Sequence, residues 1–248
     1  MTTSRAPNAF AFWALFVLAF PLTILQAVYT RLRAPRLPPV IDNAARGTIV
    51  VDGAAAAPFE LLVVGESTAV GVGCAREGET IAVRLAQAIS TRRACSVEWQ
   101  VIGANGATLS DLEGLLPSRT RQSPSANRHA LVLAGANDTV SLTPVKHWRE
   151  GMIRIRNLLR HRGVTKIYFA PVPPMWQFTL LPQPLRAVIG ERALMLDFAR
   201  YAVAEPYPDI HVLDSDFPNN PSLLASDGYH PGPEACRIWA EQVAAQMD

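Results

Sequence analysis

The sequence predicts an α/β fold: a doubly wound three-layer sandwich with a mainly parallel five-stranded sheet, plus an N-terminal hydrophobic helix. Three observations predict it. From Phe59 onward, short apolar runs alternate with helical patterns, and such alternation implies right-handed crossovers and a sheet covered on both faces. The runs end in loops rich in Gly, Asn and Ser, where open α/β sheets gather their reactive groups. Ahead of them, residues 9–29 are apolar apart from Thr23 and Gln26. Composition agrees. A chain of 248 residues, 49% hydrophobic and 18% charged, is not disordered, and the part after the first helix can bury one sizeable core.

Residues 1–30 form the hydrophobic segment, about long enough to span a bilayer and longer than a signal-peptide core. Leu25-Gln26-Ala27 is a poor cleavage site, so a membrane anchor is expected. Arg5 flanks one end and Arg31, Arg33 and Arg36 the other. The positive-inside rule then retains the second cluster in the cytoplasm by about one charge, too small a margin to fix the side, and export stays open. Residues 31–58 read as a stiff linker through Pro35, Pro38 and Pro39, with an edge strand at residues 48–51 turning at Asp52-Gly53. Residues 59–248 form one α/β domain.

Within it, Leu61 to Val64 is a run suited to a buried strand. Further strands are expected at residues 97–102, 130–134, 166–170 and 210–213. Glu79 to Ser90 has Ile81, Leu85 and Ile89 at four-residue spacing, the mark of an amphipathic helix. Thr143-Pro144 opens a helix that Gly163 closes. Others run from about Pro184 to Glu205 and from Pro233 onward.

Net charge is +2 and no basic run is interleaved with aromatics, so a nucleic-acid partner is not expected. Cys74, Cys95 and Cys236 are widely spaced. They form no metal-binding pattern, and an odd count leaves at least one thiol free. One pair could close in an oxidising compartment, and the sequence does not say which. No cofactor or metal motif is present: Gly71-x-Gly73 lacks the rest of a phosphate-binding signature.

The strand ends carry the chemistry. Gly65-Glu66-Ser67 follows the first strand, Gly103-Ala104-Asn105-Gly106-Ala107-Thr108 the second, and Gly135-Ala136-Asn137-Asp138 the third. Asp227-Gly228-Tyr229-His230 precedes the last helix. A serine hydroxyl becomes a useful nucleophile when an imidazole takes its proton. The imidazole needs a carboxylate to fix its tautomer, and the tetrahedral intermediate needs preorganised N–H donors. Taken singly, Ser67 could cap a helix, Asn137 a turn, and Asp227 an Asx turn. All of them in one order make acyl transfer the better reading.

These blocks resemble the SGNH, or GDSL-type, serine hydrolase family, in order over residues 61–232, nearly the whole globular part. The resemblance implies an SGNH/flavodoxin-like sheet and an esterase or lipase working through an acyl-enzyme. It implies Ser67 as nucleophile, His230 as base and Asp227 as its orienter. The Ser67 and Gly106 N–H groups and the Asn137 amide would form the oxyanion hole. Gly103 competes with Gly106 for the second block; Thr108 follows Gly106 at the expected offset. Glu66 departs from the family's usual aspartate, and its extra methylene changes the hydrogen bonds that loop can make.

After the fourth strand, residues 171–182 are rich in Met175, Trp176, Phe178, Leu180 and Leu181. They read either as a cover over the sheet edge or as an apolar wall binding an acyl chain, with Met175, Trp176, Phe178 and Leu181 as substrate contacts. The expected partners are a small-molecule or lipid acyl ester and, through the first helix, a membrane. Two other functions fit the same residues: an acyltransferase to a sugar or lipid hydroxyl, and a catalytically weak binding protein. His129, His147, His161 and His211 fit no block and read as surface or helix-end residues.

Overall fold

The computed structural model describes residues 9–53, 57–116, 126–214 and 220–247; Arg5 lies outside them. Six strands form one sheet: β1 (Arg46–Ile49), β2 (Phe59–Gly65), β3 (Val97–Gly103), β4 (Arg128–Leu133), β5 (Lys166–Phe169) and β6 (Ile210–Val212). Their order is β1-β3-β2-β4-β5-β6. All neighbours are parallel except β1, which runs antiparallel to β3. The expected five-stranded sheet therefore gains a sixth strand. It is the edge strand near residues 48–51, set two residues earlier because Arg46 to Ile49 pair with Gln100 to Val97.

The core has two layers. Leu61 and Val63 of β2 and Leu131 and Leu133 of β4 face α2 (Ile81–Arg93) and α7 (Pro233–Ala244). Leu62, Val64, Ala130 and Val132 face the opposite way, toward α3 (Leu109–Leu115), α5 (Val145–His161) and α6 (Leu185–Ala204). Successive strand side chains point to opposite faces, so a continuous apolar run is what a doubly covered sheet requires. Gly163, at φ 78°, ends α5 as its position suggests.

Two short helices escaped the sequence pattern, α3 and α4 (Ala136–Val140). Neither is long enough to display a period. A Thr108–Asp111 capping box marks the start of α3.

The proline-rich segment is stitched to the domain, since the Val40 and Ile41 N–H groups donate to the Val70 carbonyl at 3.0 and 3.2 Å. His129 is a core residue, not a surface one. It is 2% exposed, lies edge-on to Phe59, and burial lowers its pKa to about 4. The first helix, α1 (Ala9–Arg33), lies against α6. Gln26 clamps it there, donating to the Gln183 carbonyl at 2.7 Å and accepting the Leu185 N–H at 3.0 Å. Phe12 and Thr23 are buried, while Phe10, Leu18, Leu25 and Leu32 are exposed. Among the described residues one helix, at residues 12–33, is long and apolar enough to cross a membrane.

Candidate active site

Strand order reverses on either side of β2: β3 lies to one side and β4 to the other. The crevice between the carboxyl ends of β2 and β4 is therefore the switch point where such sheets bind ligands. Gly65 ends β2 opposite Gly103 and Leu133. Neither neighbour leaves room for a side chain: a Cβ at Gly65 would lie 2.5 Å from the Leu133 carbonyl oxygen, and one at Gly103 would overlap the Gly65 carbonyl oxygen. Close approach of three strand ends thus explains these two glycines.

Past Gly65 the chain coils tightly, with the Ala69 N–H donating to the Glu66 carbonyl at 2.9 Å and the Val72 N–H to the Ser67 carbonyl at 3.0 Å. Gly71 and Gly73 have φ of 76° and 100°, which suit glycine. This coil presents Ser67 toward the loop before α7. That loop folds back on itself, the Ala225 N–H donating to the His230 carbonyl at 2.8 Å.

The three residues expected to form a triad are brought together. His230 Nε2 lies 2.8 Å from Ser67 Oγ, and His230 Nδ1 lies 2.6 Å from Asp227 Oδ2. Asp227 Oδ1 accepts the Tyr229 and His230 N–H groups at 3.0 and 3.1 Å. Burial alone would raise the Asp227 pKa, but the His230 ring and these two N–H donors outweigh it and hold the carboxyl below its usual range. An ionised Asp227 accepts from Nδ1–H, leaving Nε2 free to accept the Ser67 proton.

Glu66, the departure from the family pattern, has a visible role. Its carboxylate is buried and accepts the Ala136 N–H at 3.0 Å, the Asn137 N–H at 3.0 Å and the Asn137 side-chain amide at 2.5 Å. Burial raises its pKa to about 7, against the opposing pull of the Asn137 and Ala136 N–H bonds. The Asn137 amide also donates to the Ala107 carbonyl at 3.1 Å, which places it beside the Gly106 turn. Asp138 completes the tie between these loops by accepting the Leu109 N–H at 2.8 Å; burial raises its pKa. Among the described residues, the Ser67 and Gly106 N–H groups donate to no protein acceptor. Sequence reading missed the bracing by Glu66 and Asp138. The sequence itself shows only an acidic residue next to the serine, Glu66, and another beside the third-block asparagine, Asp138.

The loop after β5 is divided. Met175 and Phe178 are buried in the α5–α6 layer, Leu181 packs partly against it, and Trp176 is exposed. The loop reaches the triad segment: the Phe178 and Tyr229 rings are 6.1 Å apart, and Leu180 covers Gly228. It is therefore a packing cover that also borders the site, with Trp176 and Leu180 as its outward apolar groups.

Comparison with known proteins adds to this geometry. A family model for the GDSL-like lipase/acylhydrolase family matches residues 63–238. A GDSL-like esterase of Mycobacterium tuberculosis, Rv1075c, is 29% identical over 192 residues, 74% of this chain; the chain spans 60% of that relative's length. The lipase Lip_vut3 from a goat rumen metagenome superimposes with a TM-score of 0.59 at 13% identity, over 76% of this chain and 97% of its own. The psychrotrophic esterase EstA from Pseudoalteromonas sp. gives 0.56 at 16% identity, over 75% and 95%. At such identities the structural matches speak for the fold alone.

Proposed function

This chain belongs to the GDSL-like lipase/acylhydrolase family, which supports a hydrolase of the esterase or lipase kind, and from that premise we propose that it is a serine esterase acting through an acyl-enzyme on Ser67. The observation that carries the proposal is the pair of hydrogen bonds to the His230 ring, 2.8 Å to Ser67 Oγ and 2.6 Å to Asp227 Oδ2. His230 takes the Ser67 proton as Oγ attacks the ester carbonyl, then delivers it to the leaving alcohol. Water enters by the same route in reverse, with His230 as base, and frees the acid. Asp227 holds the ring and stabilises its charged form.

The negative charge on the tetrahedral intermediate goes to the Ser67 and Gly106 N–H groups and the Asn137 amide. Asn137 joins by exchanging its bond to the Ala107 carbonyl for one to the substrate oxygen. Its bond to Glu66 stays and keeps the amide in place. The exchanged bond is the longer of the two and made to a neutral acceptor, so it is the weaker one.

The exposed side chains bordering the site favour a lipophilic acyl ester. Trp176 and Leu180 are exposed on the loop whose Phe178 ring faces Tyr229 and whose Leu180 covers Gly228. The outward apolar face of α1 supports attachment to a membrane, with substrate drawn from it.

Turnover of p-nitrophenyl esters from acetate to palmitate tests the proposal. The parent is expected to hydrolyse them, with Ser67→Ala and His230→Ala at least about a thousandfold slower. Equal rates in parent and variants would refute it. Acyl transfer to an added alcohol outrunning release to water would favour the transferase.

A further inference from the structure

Two of the three cysteines meet behind the candidate triad. Cys74 Sγ lies 3.8 Å from Cys236 Sγ, although 162 residues separate them in sequence. Cys95, the third thiol, is buried just ahead of β3, at the opposite end of that strand from Gly103 and the Gly65–Ser67 turn. Cys74 ends the coil that carries Ser67. Cys236 sits in the first turn of α7, the helix entered directly from His230. The two segments already touch there: a Cβ at Gly73 would lie 2.5 Å from the Pro231 carbonyl oxygen and 3.0 Å from His230 Cβ.

We propose that Cys74 and Cys236 are a thiol–disulfide pair that closes into a covalent clamp between the nucleophile segment and the helix behind the catalytic histidine. A disulfide holds its sulfurs about 2.05 Å apart, so closure brings the two atoms together by less than 2 Å or so from their present contact. Cys74 is partly exposed and Cys236 buried, so Cys74 meets an external oxidant first. The hydrogen bond from Cys236 holds the Cys74 thiol below its ordinary range, against the effect of burial, which favours the attacking thiolate.

The oxidant is a low-molecular-weight disulfide such as glutathione disulfide. The Cys74 thiolate attacks one of its sulfurs, the S–S bond breaks, and the departing thiolate takes up the proton Cys74 released. Cys236 then attacks Cys74 Sγ, breaks the mixed disulfide and expels the second thiol with its own proton. The protein pair loses two electrons and the oxidant gains them.

Closing so long a loop restricts the unfolded chain far more than the folded one, where the sulfurs are already in contact. The clamp therefore acts on persistence of the folded site and leaves the ester chemistry as it is. Cys95 keeps its thiol throughout.

The test uses the full chain in detergent micelles, equilibrated with glutathione and glutathione disulfide at graded ratios. Non-reducing peptide mapping is expected to show a Cys74–Cys236 cross-link with Cys95 still alkylatable. Thermal unfolding of the oxidised form is expected at least about 5 °C above the reduced form, a gain reversed by dithiothreitol. Cys74→Ser and Cys236→Ala should each abolish the cross-link and the redox dependence of Tm. A glutathione adduct on Cys74 with no cross-link would overturn the proposal. So would a cross-linked protein melting no higher than the reduced one. Neither outcome depends on whether Ser67 turns over an ester.

Discussion

The side-chain amide of Asn137 donates to the Glu66 carboxylate at 2.5 Å, bridging the carboxyl ends of β2 and β4. The same carboxylate accepts the Ala136 and Asn137 N–H groups, so one side chain fixes both the start of α4 and the proposed oxyanion donor. Aspartate, a methylene shorter, does not reach all three from the same backbone. Glu66→Asp is expected to lower kcat on a short ester about tenfold or more with little change in KM, because misplacing a donor weakens transition-state binding alone. Steady-state kinetics check the split.

Glu66 also shapes stability with pH, in opposition to His129. Its folded pKa, about 7, stands above its ordinary 4.5. The folded state binds more protons, so its contribution is present below pH 4.5 and is lost as pH rises to about 7. His129, lowered from 6.5 to about 4, favours folding above pH 6.5 and loses that contribution as pH falls to about 4. Each is worth about 3 kcal/mol over its window, and between pH 4.5 and 6.5 the two slopes cancel. In Glu66→Gln, Tm is expected to rise with pH across that interval; in His129→Phe it is expected to fall. Differential scanning fluorimetry at fixed ionic strength reads both signs.

Asp227 is tied to the His230 ring and to two backbone N–H groups. Asp227→Asn keeps the shape but offers the ring an amide that can stabilise the wrong tautomer. A kcat loss of about 10³–10⁴ is expected, with an unchanged far-ultraviolet spectrum. A loss below tenfold would mean that His230 is oriented by other groups.

The exposed face of α1 predicts membrane binding. Leu18 and Leu25 are 84% and 68% exposed. Leu18→Asp with Leu25→Asp is expected to move the protein from the vesicle pellet to the supernatant on co-sedimentation, since each aspartate costs about 3 kcal/mol in an apolar layer. Hydrolysis of soluble p-nitrophenyl acetate should survive the change.

Much of this arrangement is legible in the residues. Leu61 to Val64, Ala130 to Leu133 and their neighbours read as strands because burial on both faces leaves continuous apolar runs. Ser67, Asn137, Asp227 and His230 could be singled out because each stands at a strand end or helix entry with glycines beside it. Other features were invisible for physical reasons. Segments α3 and α4 are too short to show a helical period. His129 reads as polar, yet its pairing with Phe59 and Tyr168 is a tertiary contact. Whether Met175 and Phe178 line a wall or fill a core depends on where α6 lies. The embrace of Asn137 by Glu66 joins residues 71 positions apart, and no local pattern encodes it.

Covalent labelling reads out whether Ser67 is an activated nucleophile. The full chain would be treated with a fluorophosphonate and analysed by intact mass and peptide mapping. One adduct per chain on Ser67 Oγ is expected, absent in Ser67→Ala and at least about a hundredfold slower to form in His230→Ala. A folded parent that stays unlabelled, or one labelled at another residue, would mean that Ser67 is not the nucleophile.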